Sequence, residues 1–191
     1  MSAFDRDTAL EPLAVGRWKA AVPAHWFIGT GPNGGWIAAI LTRTMILTVD
    51  DDARPPRSLT VHFLEAPVAG PVEVSATVER AGRKGLLGRR KLRRRRIRPP
   101  GLAVPPCRAH AQAEGHGPPV LLHPQAQRAR DLTIHWRAPL GGDDPHPWTK
   151  ILMRSTTAAG GVWEEDGELW SRDGVLLAQS RQLAIVRRPQ A

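Results

Sequence analysis

The chain has 191 residues, 41% hydrophobic and 24% charged, a composition that fits a water-soluble globular protein of one or two domains with a buried core. No run approaches the roughly 18 apolar residues of a membrane-crossing helix, and the opening Met1-Ser2-Ala3-Phe4-Asp5-Arg6-Asp7 lacks the basic and apolar stretches of a secretory signal. A single cysteine, Cys107, excludes an internal disulfide framework and suits a reducing compartment, so a cytoplasmic location without membrane attachment is expected.

In chain order, Gly16–Val22 reads as a first strand, followed by His25-Trp26-Phe27-Ile28 and a glycine-rich turn, Gly29–Gly35. From Trp36 the pattern turns helical and apolar on nearly every side, as for a buried helix over 34–49, with Asn33 as its N-cap. Asp50–Pro56 reads as a loop, and strands are expected near 57–66 and 71–80. Strands are expected again near 131–138, 148–158, 162–171 and 175–187, with Asp173-Gly174 turning the last two into a hairpin.

One phrase occurs twice, Leu59-Thr60-Val61-His62-Phe63 and Leu132-Thr133-Ile134-His135-Trp136, and both copies run on to an Ala-Pro pair, Ala66-Pro67 and Ala138-Pro139. Both alternate apolar and polar residues with the period of a half-buried strand. A duplicated strand implies a duplicated unit.

Residues 83–130 interrupt this regularity. They hold eleven Arg and two Lys against one acid, Glu114, so the block carries +12 and leaves −3 to the rest of a chain whose formal charge is +9. With seven prolines and no Phe or Trp, the block lacks the apolar surface needed to offset its chain entropy, and no regular structure is expected of it. It has no interleaved aromatics for base stacking, so no specific nucleic-acid partner is expected. His110, His116 and His123 beside Cys107 do not have the spacing of a zinc site, and no metal or other cofactor is expected.

The flanking segments resemble the acyl-CoA thioesterase family of the double hot-dog fold (TesB-like). The first half carries Phe4-Asp5-Arg6-Asp7-Thr8, the helix entry Gly31-Pro32-Asn33-Gly34-Gly35-Trp36, and Arg57-Ser58-Leu59-Thr60-Val61-His62-Phe63-Leu64. The second half carries Asp131–Pro139, Ser155–Gly161 and Gly167–Gln182. The resemblance implies an α+β hot-dog fold, an antiparallel sheet wrapped on one long central helix, here the remnant of a double hot-dog. The domains expected are an N-terminal hot-dog unit at 1–82, the basic segment at 83–130, and C-terminal hot-dog strands without their helix at 131–191. In the family, the middle would hold the last strands of unit one and the first strand and helix of unit two. The block reads either as an out-of-frame stretch with a deletion or as a genuine basic insertion.

The resemblance also implies an activity in lipid metabolism, hydrolysis of acyl-CoA thioesters to free acid and CoA. That chemistry needs an activated water and donors aimed at the thioester oxygen. In the family an Asp, a Thr and a Gln of the C-terminal unit hold the water. Gln182 matches the Gln, Ala129 stands where the Thr would be, and the Asp falls in the replaced region, so impaired catalysis is expected; the alternative is a non-catalytic acyl-CoA-binding or structural protein. From its own residues, the turn Asn33-Gly34-Gly35 is a candidate substrate-binding element, its N–H groups at a helix N-terminus facing a carbonyl or phosphate. The other reading is that its glycines let the helix enter tightly against the sheet. His62 and His135, at equivalent places in the repeat, are expected to pack or hydrogen-bond within strands. Acyl-CoA is the expected partner, and pairing into a homodimer is compatible with the family.

Overall fold

A computed structural model describes residues 1–28, 31–82, 85–94, 127–139 and 148–186. Its elements in order are α1 (Ala3–Asp7), β1 (Glu11–Ala14), β2 (Arg17–Val22), a 3-10 turn (Ala24–Trp26), β3 (Phe27–Ile28), β4 (Gly31–Pro32), α2 (Gly34–Val49), β5 (Ser58–His62), β6 (Gly70–Gly82), β7 (Gly85–Arg94), β8 (Gln127–Trp136), β9 (Thr149–Arg154), β10 (Ala158–Ala159), β11 (Val162–Ser171) and β12 (Leu176–Val186). The expected single sheet is in fact two main antiparallel sheets, ordered β1-β2-β6-β7 and β10-β11-β12-β8-β5, with β9 also paired to β11 and a small β3-β4 ribbon. They belong to two compact units, the second of which takes in Arg57–Leu64. Strand β5, from the first half of the sequence, pairs there with β8.

In the first unit, β2 and β6 alternate as a strand with one covered face must. Ala20, Val22, Val72, Val74 and Ala76 are buried, while Arg17 and Glu73 form an ion pair on the other face. The buried face meets α2, whose Trp36, Ile37, Ala38, Ile40, Leu41, Thr44 and Met45 are covered. That spread exceeds one stripe, as the nearly all-apolar sequence requires. Trp18 Nε1 donates to Thr48 Oγ1 at 3.3 Å and ties the far end of the helix to β2. The helix stops at Asp50, which takes the left-handed conformation (φ 48°) common past a helix end. Gly16 is also left-handed (φ 64°) and lies against the Ala76 carbonyl, so only glycine fits the β1–β2 turn there.

Helix α1 was not expected. Its start is written in Ser2 and Asp5, which form a reciprocal capping box: Ser2 Oγ accepts from the Asp5 N–H at 3.1 Å, and Asp5 Oδ2 accepts from the Ser2 N–H at 2.9 Å. Asp7 then accepts from Trp26 Nε1 at 2.9 Å and bonds His25 Nε2 at 2.7 Å, which holds its carboxyl below the usual value.

Strand β7 is a second correction. Residues 85–94 were assigned to the segment without regular structure, yet they pair with β6 from Gly82↔Gly85 to Val72↔Arg94. The register explains both the fit and its defect. Gly88 lies against Met45 and leaves room for it, but Arg90 falls opposite buried Ala76, on the side that meets α2. There its Nε is buried without a partner among the described residues, and burial pushes the guanidinium pKa down. Residues 95–126, with Cys107, His110, His116 and His123, lie outside the described residues.

In the second unit the two copies of the repeated phrase pair with each other. Leu59↔Ile134, Thr60↔Thr133 and Val61↔Leu132 are in register, and Thr60 Oγ1 lies 3.1 Å from Thr133 Oγ1. The flanking bonds match about that point: Phe63 N–H donates to Arg130 C=O at 2.9 Å, and Trp136 N–H to Arg57 C=O at 3.0 Å. Equivalent residues of the repeat therefore exchange equivalent bonds, as around a local twofold axis.

Two stability outcomes follow. Leu59 is 3% exposed whereas His62 is exposed, so Leu59→Ala is expected to cost about 2–5 kcal/mol and His62→Ala within about 0.5 kcal/mol in urea unfolding. Equal losses would contradict the assigned faces. Arg90→Leu is expected to raise the urea midpoint by removing an unpaired, partly buried cation, whereas Arg89→Leu, which breaks an exposed pair with Glu79, is not. A lower midpoint for Arg90→Leu would show that the guanidinium is satisfied in place.

Candidate functional site

The sequence singled out two places, one in each unit. In the first, the backbone leaves the β3-β4 ribbon at Pro32 and enters α2 through Asn33. Asn33 Oδ1 accepts from the Gly35 N–H at 2.7 Å and the Trp36 N–H at 3.2 Å. These are first-turn donors that the helix itself cannot satisfy. Two amides that could have faced a substrate are thus taken by the cap. A Cβ on Gly35 would stand 2.9 Å from that capping oxygen, so glycine here also serves the cap.

In the second unit, Gln182 lies mid-strand in β12, opposite Leu132 on β8 and Glu165 on β11. Its Nε2 donates to Glu165 Oε1 at 2.6 Å, an acceptor that sequence reasoning missed. The signal was present: Glu165 and Gln182 are in register across a hairpin fixed by the Asp173-Gly174 turn, and registered residues share a face. One row along, Ala184 pairs with Ala129. Residues two apart on a strand share a face, so Ala184 is beside Gln182 and its partner Ala129 stands on that same side. Trp163 is also registered with Ala184, and its Nε1 is buried without a partner among the described residues.

A bulge produces this alignment. The β8–β12 register shifts between Leu183 and Ala184, skipping Arg130, and Asp131 Oδ1 accepts from the Leu183 N–H at 3.1 Å. Asp131 is therefore not a strand-start residue but the group that satisfies a strand amide at the irregularity. Strand β8 begins at Gln127, four residues inside the expected basic segment.

The opposite face is polar. His62 and His135 both stand there exposed, in register with Asp131 and Ser58, which sets aside packing, one of the two roles expected of them. Thr133, His135, Gln179 and Arg181 line an open cleft of about 560 Å³. Arg181 holds Asp166 with two bonds of 2.6 and 2.7 Å, which lowers the Asp166 pKa and raises that of Arg181. Gln182 does not line this cleft. No group of three or more His, Cys, Asp or Glu that could hold a metal ion occurs among the described residues, and no helix there is long and apolar enough to cross a membrane.

Comparison with known proteins bears on both halves. Residues 22–112 match the family model of the acyl-CoA thioesterase N-terminal domain. That segment belongs to the acyl-CoA thioesterase family. Among solved structures, a protein assigned as a thioesterase II from Thermobifida fusca YX is 20% identical, with a TM-score of 0.69 over 98% of each chain. A hot-dog protein of unknown function from Alicyclobacillus acidocaldarius is 18% identical, with a TM-score of 0.67 over 100% of each chain. An acyl-CoA thioesterase II, TesB2, from Mycobacterium marinum is 16% identical, with a TM-score of 0.65 over 98% of this chain and 99% of its own. At these identities the structures establish the fold, which is of the hot-dog kind. No curated protein matches the chain.

The cap reading of Asn33 has a direct consequence. Asn33→Ala is expected to cost about 1 kcal/mol of stability, and Asn33→Asp, which keeps the acceptor, clearly less. Denaturant midpoints measure both, and equal losses would mean the side chain is not acting as a cap.

Proposed function

We propose that the chain is an acyl-CoA thioesterase-type hot-dog protein, acting on acyl-CoA to give free acid and CoA, and that this copy is catalytically impaired. The observation that carries the impairment is the row around Gln182. The resemblance asks for a hydroxyl beside this glutamine, and Ala129 provides none on that face. The amide of Gln182 is meanwhile bonded to Glu165. A water beside Gln182 would therefore lack the hydroxyl of the family's set, and the amide that should hold it is already engaged by a carboxylate.

In this reading α2 is the central helix of the first hot-dog unit. Its burial on most sides and its packing on β6 and β7 support that role. Asn33, Gly34 and Gly35 shape the entry to that helix, where the substrate would bind. The chain works in the cytoplasm and pairs as hot-dog units do. The basic segment is read as out of frame. In support, β7 occupies a strand position with the wrong residues, since Arg90 replaces an apolar side chain against the helix. Sequencing the gene tests this: an alternative frame across these codons should encode alternating strands and a second glycine-capped helix, and its absence would leave a genuine insertion.

For activity, thioester turnover by the purified chain is expected at or near the uncatalysed rate. Loss of one member of a concerted catalytic group removes most of its effect, and Gln182→Ala should then change nothing further. A frame-corrected chain carrying the restored unit should turn over acyl-CoA and lose that activity on Gln182→Ala. Turnover by the uncorrected chain that falls on Gln182→Ala would overturn the impairment. No turnover by the corrected chain would favour a non-catalytic acyl-CoA-binding protein.

A further inference from the structure

The polar face of the second unit carries a second cleft, of about 580 Å³, that the thioesterase reading does not use. This volume lies within the roughly 300–1,000 Å³ usual for small-molecule sites. Two indoles frame it. Trp148, just before β9, is 81% exposed, an unusual position for the largest apolar side chain. Trp170, on β11, is in register with Lys150 on β9, and its Nε1 donates to Glu168 Oε2 at 3.0 Å, which fixes the ring. Lys150, Arg154 and Arg172 line the same cleft against one carboxylate, Glu168. None of the three cations has an ion-pair partner among the described residues. The carboxylate registered with Arg154 is Asp166, and Arg181 already holds both its oxygens.

We propose that this cleft binds a purine nucleoside diphosphate group, its base on the Trp148 and Trp170 rings and its phosphates on Lys150, Arg154 and Arg172. Indole faces stack on any flat base, and guanidinium and ammonium groups donate to phosphate oxygens. The exposed lining is mostly apolar, as a stacked base requires, and a free inorganic anion would leave both indoles uncovered. The site is separate from the Gln182 row. Trp170 and Glu168 alternate with Glu165 along β11 and so project from the other face of the sheet. The same chemistry occurs in free ADP and in the nucleotide end of CoA, and the proposal does not depend on the thioesterase reading.

Titration calorimetry on the full chain, with ADP, CoA, adenosine and pyrophosphate as separate titrants, tests it. ADP is expected to bind, more weakly as salt rises, and adenosine and pyrophosphate each much more weakly than ADP. Trp148→Ala and Lys150→Glu should each raise the Kd about tenfold or more, while Trp148→Phe keeps most of the affinity. Circular dichroism of each variant checks that the fold is kept. CoA binding as tightly as ADP locates recognition in the shared group. Much tighter CoA binding makes CoA the source, and exclusion of CoA makes it a free nucleotide; each of these supports the site. No ADP or CoA binding overturns the proposal. Binding unchanged by Trp148→Ala and Lys150→Glu also overturns it, and assigns the anion to the basic segment.

Discussion

The second unit depends on the antiparallel pairing of β5 with β8. These strands carry the two copies of one phrase, and they meet at Thr60 and Thr133, the same position in each. Antiparallel pairing of like with like has a physical economy. Leu59 of one copy falls opposite Ile134 of the other, and Val61 opposite Leu132, so the paired centre is apolar on one face across both strands. A slip of one residue would bring His62 and His135 onto that face. The pattern therefore fixes the register without help from a turn, which it must, because residues 64–131 separate the copies in the chain. From β8 the register passes to β12 and β11, and it sets which side of the sheet bears Gln182, Glu165 and Ala129 and which bears the charged clefts.

What the sequence made legible follows from how local its signals were. The span of α2, its Asn33 cap, the β11–β12 hairpin and the alternation in β6 rest on neighbouring residues, and all four are in the structure. The repeated phrase announced a duplicated strand. Its pairing with itself was not read, because composition and period say nothing about which strand lies beside which. Helix α1 was missed although Ser2 and Asp5 encode its cap, since five residues carry too little hydrophobic periodicity to stand out. Strand β7 was missed for the opposite reason. Its arginines contradict the apolar alternation that its place beside β6 demands, so pattern and position disagree, and only tertiary pairing shows the place.

That disagreement links the fold to the chemistry. A core strand that presents Arg90 toward an apolar helix is locally inconsistent, and such conflicts weaken a fold beyond the single residue involved. In the proposed reading the Gln182 row has a conflict of the same kind, with Ala129 where the family resemblance asks for a hydroxyl. Gln182 was singled out only because the family resemblance points to it. Glu165 was not, because its relevance lies in register rather than spacing. The two clefts were equally out of reach, being made by residues from four strands and a turn.

Amide hydrogen exchange at Phe63 and Trp136 tests the central pairing most directly. Their N–H groups make equivalent bonds, to Arg130 and Arg57, on the two sides of the Thr60–Thr133 point. The account predicts that both exchange slowly, with similar protection, and that both lose it together when Leu132 is replaced by Asp. Phe63 exchanging at the rate of an unfolded chain while Trp136 stays protected would show that β5 does not pair with β8.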